Sequence, residues 1–336
     1  MFPRQVIHPE FRLNGQSLSE IDISDFDFLA EWLSEQEHLA VTTSGSTGTP
    51  KTIFLDKQKM IASARATISY FDLPEKSTAL LCLSSDYIAG KMMWVRALVG
   101  GWHLDVGEVS SYPLSRKRKN YDFAAMVPLQ VENSLENLDL IQKLIIGGAA
   151  VSPILERKLQ NTSCQCFSTY GMTETITHIA VKKLNHLKSE KSAFEAMPGV
   201  RFETDARNCL IIDAPAISEE KVGTNDVVEL LSETRFHWLG RADFVINSGG
   251  IKIHPEAVER KLFSQIPNPF FIASLPDDLL GEKVVLLVEN PTKIPIDFSV
   301  LDKYEIPKQV FFLPKFFYTP NGKLQRQETL SQLPES

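Results

Sequence analysis

The sequence predicts an α/β protein with a large N-terminal domain of layered α/β sheets and a small α+β domain at the C-terminus. Up to about residue 200, apolar strand-like runs alternate with helix-like segments, which is typical of α/β layers with some parallel sheet. Beyond that point the strand-like runs are separated by short polar turns, as in antiparallel sheets. The 336 residues are enough for two or three domains and a large core.

The N-terminal elements alternate along the chain. Residues 19–36 carry apolar side chains at helical spacing with acidic residues between them, and so predict a helix. HLAVTTSGS predicts a short strand that runs into a glycine-rich loop. Helices are predicted for residues 57–70 and for AGKMMWVRALVGG, which paired glycines end. Further strand predictions fall on TALLCLS, WHLDV, KLIIGG and CQCFSTYG, with a helix over SPILERKLQ.

The C-terminal part has a different pattern. VRFETDARNCLIIDAP and VVELLSETRFHWLGR predict short antiparallel strands. HPEAVERKLFSQI predicts a helix with proline in its first turn, and KVVLLVE predicts a strand. We place the domain boundary at Asp243, which gives domains of residues 1–243 and 244–336; the second has the size of a small domain.

Composition and charge disfavour two classes of partner, nucleic acids and anionic membranes. Apolar residues make up 43% of the chain and charged residues 23%, as in an ordinary globular protein. The net charge of −7 disfavours nucleic acid or an anionic membrane as a main partner. The basic run Arg116-Lys117-Arg118-Lys119 is short and is typical of a solvated loop.

Cysteine usage and apolar runs predict a cytoplasmic protein. The four cysteines give no disulfide framework in a chain of this length, and Cys164 and Cys166 have the wrong spacing for a zinc knuckle. We expect reduced, mostly buried thiols. We find no apolar run of signal-peptide or bilayer-spanning length.

The segment VTTSGSTGTPK has the composition of a phosphate-binding loop. Glycines let backbone N–H groups converge, hydroxyls donate further hydrogen bonds and Lys51 adds a charge. Gly48 is followed by Thr49-Pro50-Lys51 rather than directly by lysine, so the P-loop pattern is not met.

Four blocks together resemble the acyl-adenylate-forming enzymes, a family that includes acyl- and aryl-CoA ligases. They occur in the order expected for that family and span residues 41 to 326. The blocks are TTSGSTGTPK, Tyr170-Gly171-Met172-Thr173-Glu174, Gly240-Arg241-Ala242-Asp243 with the following Ser248-Gly249-Gly250 and Ile253-His254-Pro255-Glu256, and Pro320-Asn321-Gly322-Lys323 with Arg326.

The resemblance implies ATP, Mg²⁺ and coenzyme A as reactants, with roles for individual residues. Thr173 would bond the α-phosphate, Glu174 would bind Mg²⁺, and Lys323 would bridge the attacking carboxylate and the α-phosphate. Adenylation needs this charge neutralisation and positioning rather than a covalent nucleophile. The implied contacts to the β- and γ-phosphates are Thr43, Ser44, Gly45, Ser46, Thr47, Gly48 and Lys51. The implied contacts to the adenosine moiety are Gly147, Gly148, Ala149, Tyr170, Gly171, Met172, Asp226 and Arg241.

The same resemblance implies a mobile C-terminal domain. Asp243 would be the hinge about which that domain rotates between the two half-reactions. One orientation would bring Lys323 into the site, and the other would present Gly249 and Gly250 to the incoming thiol.

Three departures from the family pattern stand out. Asn225 occupies a position where glycine is common, and Asn247 one where lysine is frequent. Most relatives place a much longer segment before the glycine loop, so we expect much of the usual N-terminal subdomain to be absent. The apolar surface this would expose is a reason to expect a homodimer.

The family resemblance further implies that the acid pocket follows the glycine loop, where the family has an aromatic or histidine gate before a glycine. Tyr87 would be its gate, and the helix after Gly90 would line it, with Arg96 as a cation for a second carboxylate; the alternative for Arg96 is a surface helix charge. Lys91 is five residues away on the helix, so both cations are not expected to face one pocket. This arrangement resembles the 2-succinylbenzoate–CoA ligases of menaquinone biosynthesis. Other apolar pocket candidates are Met92, Met93 and Trp94.

Two other functions stay open at this point. One is a ligase for a plain aryl or short acyl acid, which a pocket without a cation would favour. The other is a catalytically silent adenylate-binding protein, against which the joint presence of Lys51, Thr173, Glu174 and Lys323 argues.

Overall fold

The computed structural model describes residues 7–42, 52–187, 192–318 and 324–333. The chain forms two compact units. The first comprises Met1–Glu203, Ile211–Gly223 and Leu230–Phe236, and the second comprises Thr204–Leu210, Thr224–Glu229 and His237–Ser336.

The described helices are mostly short. They are α1 (Asp27–Leu33), α2 (Lys57–Tyr70), α3 (Ile88–Gly100), α4 (Pro128–Glu132), α5 (Pro153–Lys158), α6 (Pro255–Leu262) and α7 (Arg326–Leu330). Within the described ranges, none is long and apolar enough to cross a membrane.

The described strands form three sheets. They are β1 (Arg12–Leu13), β2 (His38–Thr42), β3 (Thr52–Asp56), β4 (Thr78–Leu81), β5 (His103–Val106), β6 (Tyr121–Met126), β7 (Ile141–Ile146), β8 (Gln165–Gly171), β9 (His178–Lys183), β10 (Phe194–Ala196), β11 (Arg201–Thr204), β12 (Cys209–Asp213), β13 (Val222–Ser232), β14 (Arg235–Arg241), β15 (Ile246–Ser248), β16 (Ile251–Ile253), β17 (Phe270–Asp277), β18 (Gly281–Glu289) and β19 (Gln309–Leu313).

The main sheet of the first unit has a parallel centre. Its order begins β1-β5-β4-β6-β7-β8, with parallel pairing throughout, and continues antiparallel through β9 and β10. Leu144 of β7 lies between Ala124 of β6 and Cys166 of β8. Because parallel strands end at one edge, the residues that follow β6, β7 and β8 come together there, where α/β proteins bind ligands.

Within the first unit, β10 pairs with β14 through Phe194 and Phe236. The two rings are stacked, with centroids 5.3 Å apart.

Helices α2 and α3 cover the sheet of the first unit. The Asp56 side chain caps α2 by accepting from the backbone N–H of Gln58 at 2.6 Å. Gly101, at φ +68°, ends α3 in the left-handed conformation that favours glycine. The predicted helix over residues 57–70 is confirmed, and α3 lies within one residue of its prediction.

The prediction of one helix over residues 19–36 is wrong. Only α1 is α-helical there, and two short 3₁₀ turns precede it. The Asp22 side chain accepts from the backbone N–H of Ser24 at 3.0 Å, and the backbone N–H of Ser17 donates to Glu20 at 2.8 Å. These local bonds compete with a continuous helix because they bind backbone groups in non-helical geometry.

One core cluster of the first unit consists of buried apolar side chains from β4, β6, β7 and β8 and their neighbours, among them Leu80, Met126, Leu144 and Cys166. All four cysteines are buried and free, as predicted.

The second unit contains a five-stranded sheet in the order β16-β15-β18-β17, with β19 parallel to β18. Helix α6 buries Val258 and Leu262 against it. Arg326, at the start of α7, donates to both carboxylate oxygens of Glu259, at 2.7 and 2.8 Å, and its guanidinium lies 5.2 Å from the Phe244 ring centroid. These contacts fix the C-terminal helix on the unit.

Candidate active site

Glycines mark the carboxyl edge of the first unit's sheet. A Cβ at Gly147, just after β7, would collide with the Thr169 hydroxyl, and Gly148 has a φ of +80°. Both positions therefore require glycine. Ala149 follows as an exposed residue.

Strand β8 carries Tyr170 into an aromatic cluster. The Tyr170 ring lies 5.3 Å from Phe236 and 5.8 Å from Phe194, measured between centroids. A Cβ at Gly171 would collide with the backbone of Thr177 and of His178, the residue that pairs with Gly171 at the start of β9. The end of β8 is thus held tightly against the start of β9.

The turn after β8 presents Thr173 and Glu174. The turn is stabilised by the buried Thr175 hydroxyl, which accepts from the backbone N–H of Met172 at 3.0 Å. Glu174 is exposed and makes no hydrogen bond or ion pair with any described residue. The arrangement leaves its carboxylate available for an external cation.

The residues near Glu174 suit the Mg²⁺ that accompanies a nucleotide better than a resident metal. Among the described residues there is no group of three or more His, Cys, Asp or Glu that could hold a metal ion. Mg²⁺ keeps several waters and binds through one or two carboxylates plus phosphate oxygens. One unpaired carboxylate fits that requirement.

Ile176 forms a strained turn between this motif and β9. Its φ and ψ are +65° and −58°, and the Thr177 N–H donates to the Thr175 carbonyl at 2.7 Å. This is the rarer form of γ-turn, and positive φ is unusual for a β-branched residue. The turn directs Thr177 and His178 toward α3.

The start of α3 lies at the same end of the sheet. Tyr87 is its N-cap residue and is 51% exposed. A Cβ at Gly90 would collide with the carbonyl of Ser84, so only glycine lets the first turn lie against the loop after β4.

Arg96 is buried on the inner face of α3, 1% exposed, and is not a surface charge. Its Nε donates to the Thr67 hydroxyl at 3.3 Å and its Nη2 to the Thr177 hydroxyl at 3.2 Å. Nη2 also lies 3.5 Å from His178 Nδ1. No carboxylate among the described residues pairs with it, and burial lowers its pKa to about 9.

His178 is the third neighbour of this guanidinium. Burial, and then the Arg96 charge, lower its pKa well below the ordinary histidine value. The imidazole is therefore neutral at pH 7.

Lys91 faces the opposite way, as the helical spacing predicts. Its ammonium lies 2.7 Å from the Glu31 carboxylate and over the Phe28 ring of α1. Trp94 also packs on Phe28, with ring centroids 6.0 Å apart. Helix α3 therefore packs on α1 with the face that carries Lys91 and Trp94, and carries Arg96 on a different face.

In the second unit, the predicted ribose residues lie on adjacent strands, Asp226 within β13 and Arg241 at the end of β14. Asp226 accepts from the Trp238 indole N–H at 3.0 Å. The Arg241 guanidinium donates to Asp243 at 2.6 Å, and the Asn225 amide donates to the same carboxylate at 3.2 Å. The structure thus places Asp243 in contact with both neighbouring motifs; its role as a hinge stays a prediction.

Gly249 and Gly250 form the turn between β15 and β16. Their φ values are +58° and +82°, and Ser248 pairs with Ile251 across them. This is a two-residue hairpin turn of the type that needs positive φ at both central positions.

Several predicted residues lie outside the described residues. They are Thr43, Ser44, Gly45, Ser46, Thr47, Gly48, Lys51 and Lys323.

The sequence interpretation missed Thr67, Thr177 and His178. One sequence signal was available: Ser63 and Thr67 are polar residues four apart on the helix, at the spacing that puts both on the face that carries Met60 and Ala64.

The sequence profile of the AMP-binding enzyme family matches residues 30–203, which is more than half of the chain. The chain is an AMP-binding enzyme. It is similar to the 2-succinylbenzoate–CoA ligase of Escherichia coli (strain K12), with 25% identity over 319 residues that cover 89% of this chain and 69% of that protein. It is also 28% identical, over 77% of its length and 73% of the relative, to a probable 2-succinylbenzoate–CoA ligase of Mycobacterium tuberculosis. Against the corresponding Salmonella typhimurium ligase, the chain spans 64% of the relative.

Solved structures show the same fold for this AMP-binding enzyme. An acyl-CoA synthetase (AMP-forming)/AMP-acid ligase II-like protein from Dyadobacter fermentans is 35% identical, with a TM-score of 0.62, over 91% of this chain and 92% of that one. The o-succinylbenzoate coenzyme A synthetase of Bacillus subtilis, in complex with ATP and magnesium ion, is 21% identical with a TM-score of 0.72. That alignment covers 87% of this chain and 69% of the synthetase. The predicted adenylate-forming α/β fold is confirmed.

Proposed function

We propose that this AMP-binding enzyme is an ATP-dependent acid–CoA ligase that converts 2-succinylbenzoate, ATP and coenzyme A into 2-succinylbenzoyl-CoA, AMP and pyrophosphate. The similarity to 2-succinylbenzoate–CoA ligases from several bacteria supports this substrate. A role in menaquinone biosynthesis, a cytoplasmic location and a homodimer belong to the same proposal.

The buried guanidinium of Arg96 is the observation that favours an acid with two carboxylates as the substrate. With a pKa of about 9 it is charged at pH 7, and its described partners are two hydroxyls and a neutral imidazole. A buried charge is costly unless it is paired and hydrogen-bonded. An acid with a second carboxylate would supply that pair, since guanidinium and carboxylate form the stronger, charge-assisted hydrogen bonds.

The first half-reaction is adenylation. One carboxylate oxygen of the acid attacks the α-phosphorus of ATP, and the bond to pyrophosphate breaks. Thr173 would donate to the α-phosphate, and the unpaired carboxylate of Glu174 would hold the Mg²⁺ that neutralises phosphate charge. Lys323 would bridge the carboxylate and the α-phosphate. Catalysis here rests on positioning and electrostatic stabilisation.

The second half-reaction forms the thioester. The sulfur of coenzyme A attacks the carbonyl carbon of the acyl-adenylate, the thiol proton is lost, and AMP leaves. The proposal assigns Gly249 and Gly250 to this step and Asp243 to the hinge between the two steps.

Replacing Arg96 tests the substrate assignment. In Arg96→Leu we expect kcat/KM for 2-succinylbenzoate to fall about 10- to 100-fold, because a hydrogen-bonded charge pair contributes about 1.5–3 kcal/mol. The KM for ATP should stay within about threefold of wild type. ATP–pyrophosphate exchange with 2-succinylbenzoate, and with its two analogues lacking one carboxylate each, measures the change.

Lys91→Leu is the matched control, because it removes a buried cation from the same helix on the face toward α1. It should keep wild-type preference for the diacid. Full turnover of 2-succinylbenzoate by Arg96→Leu would refute the role of Arg96 and favour a ligase for a plain aryl or short acyl acid.

A further inference from the structure

The neighbours of Arg96 form a polar network inside the first unit. Thr67 of α2 and Thr177 and His178 at the start of β9 surround the guanidinium, and Thr67 and His178 are themselves buried. The inference drawn from them rests on the proposed function, because it concerns how Arg96 is held for the second carboxylate of the acid.

Hydrogen-bond donors and acceptors fix the protonation of His178. The Thr67 hydroxyl donates to the Ser63 carbonyl at 3.2 Å, so it can only accept from His178 Nε2, 3.4 Å away. Nε2 therefore carries the proton, and Nδ1 presents a lone pair. That lone pair faces Arg96 Nη2 at 3.5 Å and the Thr177 hydroxyl at 3.4 Å.

The strained turn at Ile176 sets where these acceptors lie. The Ile176 side chain is buried at 2% exposure, and its N–H donates to the Thr173 carbonyl at 2.9 Å. Packing and hydrogen bonding thus hold a strained backbone conformation in place, as is found for strained residues at functional sites. One short turn connects the Thr173-Glu174 motif to the neighbours of Arg96.

We propose that His178 is a positioning residue that sets substrate specificity. Its neutral imidazole, with the proton on Nε2, orients the Arg96 guanidinium through Nδ1. The contacts to Arg96 are long and involve neutral acceptors, so they orient the guanidinium while leaving its other donors for the unreacted carboxylate of a dicarboxylic aromatic acid.

Kinetic variants of His178 test this role. In His178→Leu, the KM for 2-succinylbenzoate should rise at least 10-fold and its preference over the analogue that lacks the carboxylate bound by Arg96 should fall, while the KM for ATP stays within about threefold. His178→Gln keeps an acceptor and should restore the preference to within about threefold of wild type. The Arg96→Leu, His178→Leu double variant should be no worse than Arg96→Leu, because both act through one contact.

A readout without turnover accompanies the kinetics. In ¹⁵N-histidine spectra of the full chain at pH 7, His178 should be neutral with its proton on Nε2. A charged imidazole, a proton on Nδ1, additive losses in the double variant, or unchanged acid preference in His178→Leu would each overturn the inference. Failure of the wild-type protein to exchange pyrophosphate with any dicarboxylic acid would instead overturn the proposed function, and with it the substrate role of His178.

Discussion

Arg96 and His178 are 82 residues apart in the sequence and meet only through the packing of α3 on the turn before β9. The family resemblance predicted Arg96 as an acid-pocket residue, with a surface helix charge as the alternative. The sequence could not place His178 beside Arg96, because a histidine that follows a turn has no periodicity that identifies its neighbours. Hydrogen-bond contacts, which depend on tertiary structure, supply that information.

The buried histidine predicts a pH dependence of stability. Its folded pKa lies well below the value of about 6.5 expected in the unfolded chain. As pH falls below about 6.5, the unfolded chain takes up a proton that the folded chain does not, so the free energy of unfolding decreases, by at most about 1.4 kcal/mol per pH unit for one such group.

Urea denaturation at pH 7.0, 6.0 and 5.5, conditions that we choose to bracket the histidine titration, measures this slope. His178→Gln should flatten it, while the partly buried His103 and His254, whose pKa values are also lowered by desolvation, keep their share. An identical slope in wild type and variant would show that His178 is not the group that titrates.

Among the elements, sequence periodicity located α2 and α3 well because both are long and carry strong end signals, Asp56 at one start and Gly101 at the other end. It failed for α1, where the Glu20 and Asp22 side chains bind nearby backbone N–H groups in the turns that precede the helix. The end of α1 also depends on Lys57, a residue from a distant part of the chain.

Lys57 caps α1 from α2. Its ammonium is fully buried and donates to the carbonyls of Glu31, Trp32 and Ser34 at 3.1, 2.9 and 3.1 Å. A cation there satisfies carbonyls that a helix end leaves unpaired.

Lys57→Met should lower the free energy of unfolding by about 2–4 kcal/mol, because it removes the ammonium donor from the carbonyls of Glu31, Trp32 and Ser34 and places an apolar group beside them. Lys59→Met is the control, since Lys59 pairs at 3.3 Å with the largely exposed Glu219, and such surface pairs contribute about 0–1 kcal/mol. Equal losses in the two variants, measured by denaturant unfolding, would contradict the capping role of Lys57.

At the scale of the whole molecule, the order of four short motifs identified the family and the fold before any packing was known. The alternation of strands and helices further predicted the parallel sheet whose carboxyl edge carries Gly147 and Thr173. The sequence could not show whether Arg96 has a carboxylate partner inside the chain, since that depends on tertiary contacts. This question decides between a monocarboxylic and a dicarboxylic acid.

The most direct test of the central claim is product formation by the full chain with 2-succinylbenzoate, ATP, Mg²⁺ and coenzyme A. Mass spectrometry and nucleotide chromatography would follow the thioester and AMP, with the two analogues lacking one carboxylate as comparison acids. The account predicts 2-succinylbenzoyl-CoA and AMP in equal amounts, and at least 10-fold lower kcat/KM for the analogue that lacks the carboxylate bound by Arg96. Equal rates with that analogue, or no thioester and no AMP from 2-succinylbenzoate, would contradict it.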